Sequence, residues 1–188
     1  MSHNDKTDLF KEETIRFNKK HNLVSKKNTD KIIDEAIEEA ATLTKHLKQY
    51  KNILDIGTGG GLPGIPLAIF NENKNIYLSE KNNKKNYHLK KTIKLLEIEN
   101  ATTIGSANKN TKINKKVDCV VTKAFASTKK TIDIANSFLE KPFTLMLLKG
   151  KLKTINKEIA EANISKENYE IIKIENKKEK HLLKIQNE

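Results

Sequence analysis

The fold is decided by the stretch Ile53-Leu-Asp-Ile-Gly-Thr-Gly-Gly-Gly-Leu-Pro-Gly64. An apolar run opens it, as in a buried strand, and five glycines follow within the eight residues 57–64. Glycines that directly follow a strand let the backbone turn tightly and approach a bound ligand closely. Pro63 favours the first turn of a helix, whose free N–H groups would face the same crevice. The stretch therefore predicts a strand, a ligand-binding glycine loop and a helix in succession.

Downstream of residue 51, short apolar runs alternate with helical patterns. Strands are predicted over residues 53–56, 76–78, 102–104, 117–121 and 143–148, and helices over 65–70, 83–96, 129–139 and 152–162. Two final strand-like runs, 169–174 and 181–185, have no helix between them, which predicts an antiparallel hairpin at one edge. The pattern predicts an α/β fold with a Rossmann-like, seven-stranded sheet, the class I arrangement of S-adenosylmethionine-dependent methyltransferases.

The first 50 of the 188 residues read as helix. We expect residues 1–51 to form an N-terminal helical extension of a methyltransferase domain that spans residues 52–188 as one globular unit. Thr29 and Asp30 are predicted to cap a helix over about residues 31–49. An earlier helix is predicted to hold Leu9, Ile15 and Phe17.

The positive charge of the chain is concentrated in one segment. The net charge is +12, and residues 81–130 alone contain 13 lysines against 3 acidic residues, a net charge of +10. A basic segment in an otherwise nearly neutral chain is typical of a protein that binds a polyanion such as RNA. A solvated, lysine-rich helix surface without a partner would have the same composition, and the charge count leaves both interpretations open.

Two carboxylates suggest which ligand the glycine loop holds. Asp55 ends the first predicted strand, where it would repel a pyrophosphate but attract the ammonium and sulfonium groups of S-adenosylmethionine. Glu80 ends the second strand, where a carboxylate typically accepts hydrogen bonds from ribose hydroxyls. The alternative is a nicotinamide-binding protein, because Gly59, Gly61 and Gly64 fit G-x-G-x-x-G with Glu80 about twenty residues further on. Asp55 and the lack of a second substrate domain argue against that alternative.

Three motifs give the sequence a specific resemblance. The segment from Asp55 to Pro66, the segment Thr122-Lys-Ala-Phe-Ala-Ser127 and the segment Leu148-Lys-Gly150 resemble the ribosomal RNA small subunit methyltransferase G family. Residues 18–25 and 180–183 resemble it more weakly, and the likeness runs from about residue 17 to residue 185. The resemblance implies transfer of a methyl group from S-adenosylmethionine to N7 of a guanine in 16S ribosomal RNA.

The resemblance also implies site residues. Gly57 and Leu62 match cofactor contacts of the family, Asn108 and Lys109 match a pair beside the adenine, and Lys123 matches an arginine that lines the cofactor and substrate crevice. With the residues of the loop and the second strand, the expected cofactor-binding set is Asp55, Gly57, Gly59, Leu62, Glu80, Asn108, Lys109 and Lys123.

Five residues, at three places in the chain, depart from the family pattern. The pair beside the adenine is usually an apolar residue followed by an acidic one, but here it is Asn108 and Lys109. Lys123 keeps the charge of arginine but lacks its two-pronged hydrogen bonding. A second-helix Arg-His pair of the family is Glu35 and Ala36 in this chain.

The expected chemistry needs no catalytic side chain. Guanine N7 carries an unprotonated lone pair at neutral pH, so we expect no general base, and orientation should dominate catalysis. Cys119, the single cysteine, lies in a predicted strand and is expected to be a small buried hydrophobe. No Cys/His cluster predicts a metal site. Residues expected to bind RNA are Lys84, Lys85, Lys149 and Lys151.

The expected partner is 16S rRNA, within the small ribosomal subunit. The sequence has no run of eighteen apolar residues, so we expect no membrane span. We also expect the protein to be cytoplasmic and monomeric. An alternative function, given the departures from the family pattern, is a catalytically idle RNA-binding or ribosome-assembly protein with the same fold.

Overall fold

The computed structural model describes residues 1–23, 25, 27–175, 177 and 179–188. Val24, part of the weaker family motif at residues 18–25, lies outside the described residues. The six α-helices of the described part are α1 (His3–His21), α2 (Thr29–Thr44), α3 (Gly64–Phe70), α4 (Asn83–Leu95), α5 (Thr128–Asn136) and α6 (Leu152–Glu161). None of the described helices is both long and apolar enough to cross a membrane.

In the part of the chain that the structure describes, seven strands form one sheet, as predicted. They are β1 (Asn52–Ile56), β2 (Asn75–Ser79), β3 (Ala101–Gly105), β4 (Cys119–Lys123), β5 (Phe143–Lys149), β6 (Tyr169–Lys173) and β7 (His181–Asn187). Their order across the sheet is β3-β2-β1-β4-β5-β7-β6. Strands β1 to β5 are parallel, whereas β7 runs antiparallel to both β5 and β6. The hairpin at one edge confirms the class I methyltransferase arrangement.

Both faces of β1 are buried, because helices cover the sheet on each side. Ile53 belongs to the apolar cluster that includes residues of α1 to α4, such as Phe10 and Ile33. Leu54 and Ile56 point to the opposite face and join a second cluster that contains residues of α5 and α6. Helices α1 and α2 therefore share a hydrophobic core with the central sheet.

The predicted bounds of α2 were wrong at both ends. The helix begins at Thr29, and Asn28 is its N-cap, in a left-handed conformation with φ 58° and without a side-chain capping bond. Thr29 and Asp30 therefore lie inside the first turn and do not cap it. The helix ends at Thr44 rather than near residue 49, although Leu47 beyond its end is fully buried. Because Leu47 is buried, the helical spacing of apolar residues extends beyond Thr44, and this is why the predicted helix was too long at this end.

Strand β4 begins two residues later than predicted. Val117 is buried but precedes the strand, and the carboxylate of Asp118 accepts hydrogen bonds from the backbone N–H groups of Lys51 and Asn52, at 2.8 and 3.0 Å. Cys119 opens the strand and is completely buried, which confirms its expected role as a small core residue. Burial raises the pKa of its thiol well above the usual value, so the thiol stays protonated.

Candidate cofactor and substrate site

The glycine loop between β1 and α3 has a shape that side chains would disturb. Gly57, Gly59 and Gly61 have φ angles of 73°, 59° and 92°, in the left-handed region that favours glycine. The N–H groups of Gly57 and Thr58 donate to the carbonyl of Ser79, at 2.9 and 3.0 Å, and fasten the loop to the end of β2. A Cβ on Gly57 would lie only 2.2 Å from Cδ2 of Phe125. The loop is therefore closely packed as well as tightly turned.

A cavity of about 360 Å³ lies beside this loop, at the carboxyl ends of β1, β2 and β4. In an open α/β sheet, ligands bind at this edge, where neighbouring strands lead to helices on opposite faces. The cavity is lined by Ile56, Gly57, Ser79, Glu80, Lys81, Lys85, Ser106, Ala107, Phe125, Ala126, Lys130 and Ile134. Gly57 and Glu80 were expected there as cofactor contacts, and Lys85 was expected to contact RNA instead.

Glu80 connects the cavity to the loop. Its Oε2 accepts a hydrogen bond from the N–H of Gly59, at 3.1 Å, and its Oε1 accepts one from the N–H of Asn82, at 2.8 Å. The residue is 8 % exposed, so these bonds fix the carboxylate in one orientation at the cavity wall. A carboxylate held in this way has lone pairs left to accept hydrogen bonds from the hydroxyls of a ribose.

Asp55 does not reach the cavity. It is completely buried, and its Oδ2 accepts a hydrogen bond of 2.9 Å from the N–H of Gly64, at the start of α3. Burial raises the pKa of Asp55 to about 7, and the charge of Glu80 acts in the same direction, whereas Thr58 and the bond from Gly64 lower it. The expectation of an open carboxylate at the strand end is corrected, because the side chain points behind the loop and holds it in place.

The other expected cofactor residues lie around the cavity rather than in it. Leu62 is buried, and its N–H donates to the carbonyl of Thr58, so its side chain supports the loop from the core. Asn108 and Lys109 are exposed in the turn after β3, directly behind the lining residue Ala107. The Asn108 side chain is engaged within that turn, since it accepts a hydrogen bond from the N–H of Asn110.

A second cavity, of about 290 Å³, adjoins the first and shares Phe125 and Ala126 with it. It is lined by Glu39, Thr122, Lys123, Ala124, Phe125, Ala126, Leu148, Lys149, Gly150, Glu158, Ile174 and Lys180. Lys123, expected as a cofactor contact, lines this cavity and not the first. Its Nζ lies 2.6 Å from Oε2 of Glu39, a buried residue of α2 that the sequence reasoning missed.

The expected RNA-binding lysines do not form one surface. Lys84 and Lys151 are exposed, whereas Lys85 is half-buried at the first cavity. Lys149 forms an ion pair of 2.7 Å with Glu158 and donates to the carbonyl of Ala126. The Lys149 ammonium is thus neutralised by Glu158 in this structure, and its expected contact with an RNA phosphate stays a prediction.

The first cavity suits S-adenosylmethionine. The side-chain-free backbone of the loop allows close approach, and Glu80 offers an acceptor for ribose hydroxyls. Among the described residues, no group of three His, Cys, Asp or Glu side chains is arranged to hold a metal ion. Together with the sheet order, the loop and Glu80 define a class I, S-adenosylmethionine-dependent methyltransferase.

Comparison with solved structures shows the same fold. The chain resembles M. jannaschii TYW2, solved in complex with AdoMet, with a TM-score of 0.53 and 19% identity over 80% of this chain and 74% of that one. It resembles a SAM-dependent methyltransferase from Aquifex aeolicus with a TM-score of 0.56 and 12% identity, over 79% of this chain and 88% of that one.

Comparison of sequences shows the family. The model of the rRNA small subunit methyltransferase G family matches residues 3–184. The ribosomal RNA small subunit methyltransferase G of Brachyspira hyodysenteriae is 34% identical over 91% of this chain and 84% of its own length. The protein of the same description from Glaesserella parasuis is 31% identical over 85% of this chain and 76% of its own length. The chain belongs to the rRNA small subunit methyltransferase G family.

Proposed function

We propose that this protein transfers a methyl group from S-adenosylmethionine to N7 of a guanine in the 16S ribosomal RNA of the small subunit. The observation that carries the proposal is the pair of adjoining cavities at the carboxyl edge of the sheet, one beside the glycine loop and one beyond Phe125. Two adjoining cavities are what a direct transfer between cofactor and substrate requires. Membership of the family supplies the substrate class.

The chemistry asks little of the side chains. When bound, S-adenosylmethionine supplies an electrophilic methyl group. Guanine N7 has a free lone pair and no proton to lose, so the protein must align the two reactants and exclude water. We therefore assign no catalytic acid or base. The residues around the cavities orient the cofactor and the guanine relative to each other.

We assign the cofactor to Gly57, Gly59 and Glu80, with the turn at Asn108 and Lys109 beside the adenine. Asp55 and Leu62 support the loop from behind. The exposed Lys84 and Lys151 are assigned to RNA phosphates. Residues 1–51 are assigned as a helical extension of the methyltransferase domain at 52–188.

We further propose that the protein acts as a cytoplasmic monomer on the assembled small subunit. Labelled S-adenosylmethionine, incubated with the protein and either small subunits or naked 16S rRNA, tests the substrate. Transfer to small subunits supports the proposal, while transfer to naked RNA alone contradicts the particle as substrate. Cofactor binding by calorimetry without any transfer would favour the idle RNA-binding alternative.

A further inference from the structure

A buried carboxylate joins the N-terminal helices to the carboxyl edge of the sheet. The side chain of Glu39, in α2, is 1% exposed, and its oxygens lie 2.6 Å from Nζ of Lys123 and 3.0 Å from Nζ of Lys180. Lys123 ends β4, and Lys180 directly precedes β7. Three elements that are distant in sequence therefore meet at one carboxylate.

The Glu39 carboxylate is ionised in this setting. Burial alone would raise its pKa, but the ammonium groups of Lys123 and Lys180 outweigh burial and hold the pKa of Glu39 below its usual value. Across the cavity, Lys149 and Glu158 form a neutral ion pair. The cavity is thus lined by three lysines and two glutamates, and its wall carries a net charge of +1.

The net positive charge of the second cavity lies close to the cofactor cavity. Lys123 lies two residues before Phe125, which lines both the cofactor cavity and the second cavity. The methyl acceptor must lie next to the bound cofactor, within reach of an in-line displacement. The second cavity is the space that adjoins the cofactor cavity on this side.

We propose, resting on the proposed function, that the second cavity receives the target nucleotide and that Lys123 and Lys180 bind its phosphate. Glu39 is a positioning residue that holds both ammonium groups at the cavity wall. A C–N bond forms at guanine N7 as the C–S bond of the cofactor breaks, which leaves a neutral thioether and a positively charged guanine, and no proton is released. The net positive charge of the cavity wall would oppose that developing charge if it lay beside N7, so we place the two ammonium groups that share Glu39 at the phosphate oxygens.

Two matched variants test the proposal. Lys180→Met removes an ammonium group from the cavity, and Lys173→Met removes one from an exposed position of β6 outside it. We expect Lys180→Met to weaken binding of small subunits about tenfold and to lower the slope of log Kd against log salt by about one, as for one lost phosphate contact. Its affinity for S-adenosylmethionine should equal that of the wild type. Lys173→Met should change none of these quantities.

Glu39→Gln tests the positioning role. The amide keeps the shape of the side chain but leaves the two ammonium groups without a counter-charge. We expect a tenfold lower single-turnover rate at subsaturating subunits, with unchanged cofactor affinity. If circular dichroism shows that this variant does not fold, the comparison of Lys180→Met with Lys173→Met decides alone.

Three results would overturn the inference. They are an unchanged salt slope in Lys180→Met, an equal loss of subunit binding in Lys173→Met, and a loss of cofactor affinity in Lys180→Met. Wild-type protein that binds small subunits but transfers no methyl group would instead overturn the proposed function, so the two failures are distinguishable.

Discussion

The N–H of Gly64 donates a hydrogen bond of 2.9 Å to Oδ2 of Asp55, and this bond ties the end of β1 to the start of α3. A Cβ on Gly64 would lie 2.7 Å from the same oxygen, so the contact requires glycine at that position. The carboxylate thereby fixes both ends of the loop that lines the cofactor cavity. Asp55 can therefore affect the cofactor in two ways, by holding the loop in place and by the electrostatic attraction of its charge.

Cofactor affinity should depend on pH through Asp55. Burial raises the pKa of this group to about 7, so it gains its negative charge only as the pH rises through neutrality. Since the ionised form attracts the positive cofactor, we expect the affinity for S-adenosylmethionine to rise between about pH 6 and pH 8. Asp55→Asn can still accept the bond from Gly64, and we expect it to remove this dependence and to weaken binding about tenfold at pH 8.

Calorimetry on both proteins across this pH range provides the measurement. S-adenosylhomocysteine, which lacks the sulfonium charge, is the matched ligand and should show a weaker dependence in the wild type. Parallel pH profiles for wild type and Asp55→Asn would show that the carboxylate does not sense the cofactor charge.

Gly57→Val should abolish cofactor binding in a folded protein. The new Cβ would lie 2.2 Å from the Phe125 ring, and the φ of 73° is unfavourable for a β-branched residue. Gly105→Ala is the matched control, because Gly105 has nearly the same φ, 72°, and does not line the cofactor cavity, and its Cβ would meet nothing within 4 Å, so only backbone strain of about 1–2 kcal/mol remains. Calorimetry and thermal unfolding check both variants. Full cofactor affinity in folded Gly57→Val would contradict the assignment of the loop.

The sequence predicted the loop and the sheet because both depend on local patterns. Strand and helix alternate within short windows, and the glycines that allow positive φ angles are adjacent in the chain. Burial of the Asp55 side chain was not predicted, since a carboxylate at a strand end can turn toward the crevice or behind the loop. The N–H of Gly64, at the start of α3, donates to the carboxylate and so holds the side chain behind the loop.

The ion pair between Glu39 and Lys123 depends on how α2 packs against the end of β4, which no local pattern encodes. One signal was present, because Glu39 lies in the apolar stripe of the helix beside Ala36, Ala40 and Leu43. An acidic residue in such a stripe needs a cationic partner. The identity of that partner required the tertiary structure.

His88 should make the protein sensitive to acid. Its ring is fully buried and stacks on Phe17 with centroids 4.6 Å apart, and neither ring nitrogen has a hydrogen-bond partner among the described residues. Burial lowers the pKa of His88 to about 4, with the charges of Lys91 and Arg16 acting in the same direction and Glu13 opposing them. Because the folded pKa lies below that of the unfolded chain, stability present above about pH 6.5 is lost as the pH falls toward 4.

His88→Phe keeps an aromatic ring in this position but cannot take up a proton. As the pH falls from 7 to 4, the wild type should lose about 3 kcal/mol more of its free energy of unfolding than His88→Phe does, at about 1.4 kcal/mol per pH unit. Urea denaturation at pH 4, 5.5 and 7 measures the difference, in which contributions shared by both proteins cancel. A difference that does not vary with pH would contradict the buried, neutral histidine.

The exposed lysines of α4 should contribute to subunit binding through phosphates. Lys84 and Lys90 are exposed there, whereas Lys85 lines the cofactor cavity and Lys91 is paired with Glu13. We expect the double variant Lys84→Glu and Lys90→Glu to weaken binding at least tenfold and to reduce the salt slope by about two.

The matched control reverses two exposed lysines near the other edge of the sheet, Lys166→Glu and Lys173→Glu. Filter binding of small subunits at several salt concentrations measures both double variants. Equal losses in the two would mean that the lysines of α4 act only through the total charge of the protein.

The most direct test of the proposed function is to map the methylated base. Small subunits from a strain that lacks this gene are incubated with the protein and S-adenosylmethionine, and the 16S rRNA is reduced and cleaved with aniline, which breaks the chain at N7-methylguanosine. The account predicts one new cleavage site, at a guanine, that is absent when Gly57→Val replaces the wild type. Methyl transfer without aniline cleavage, or no transfer by wild-type protein that binds the cofactor, would contradict it.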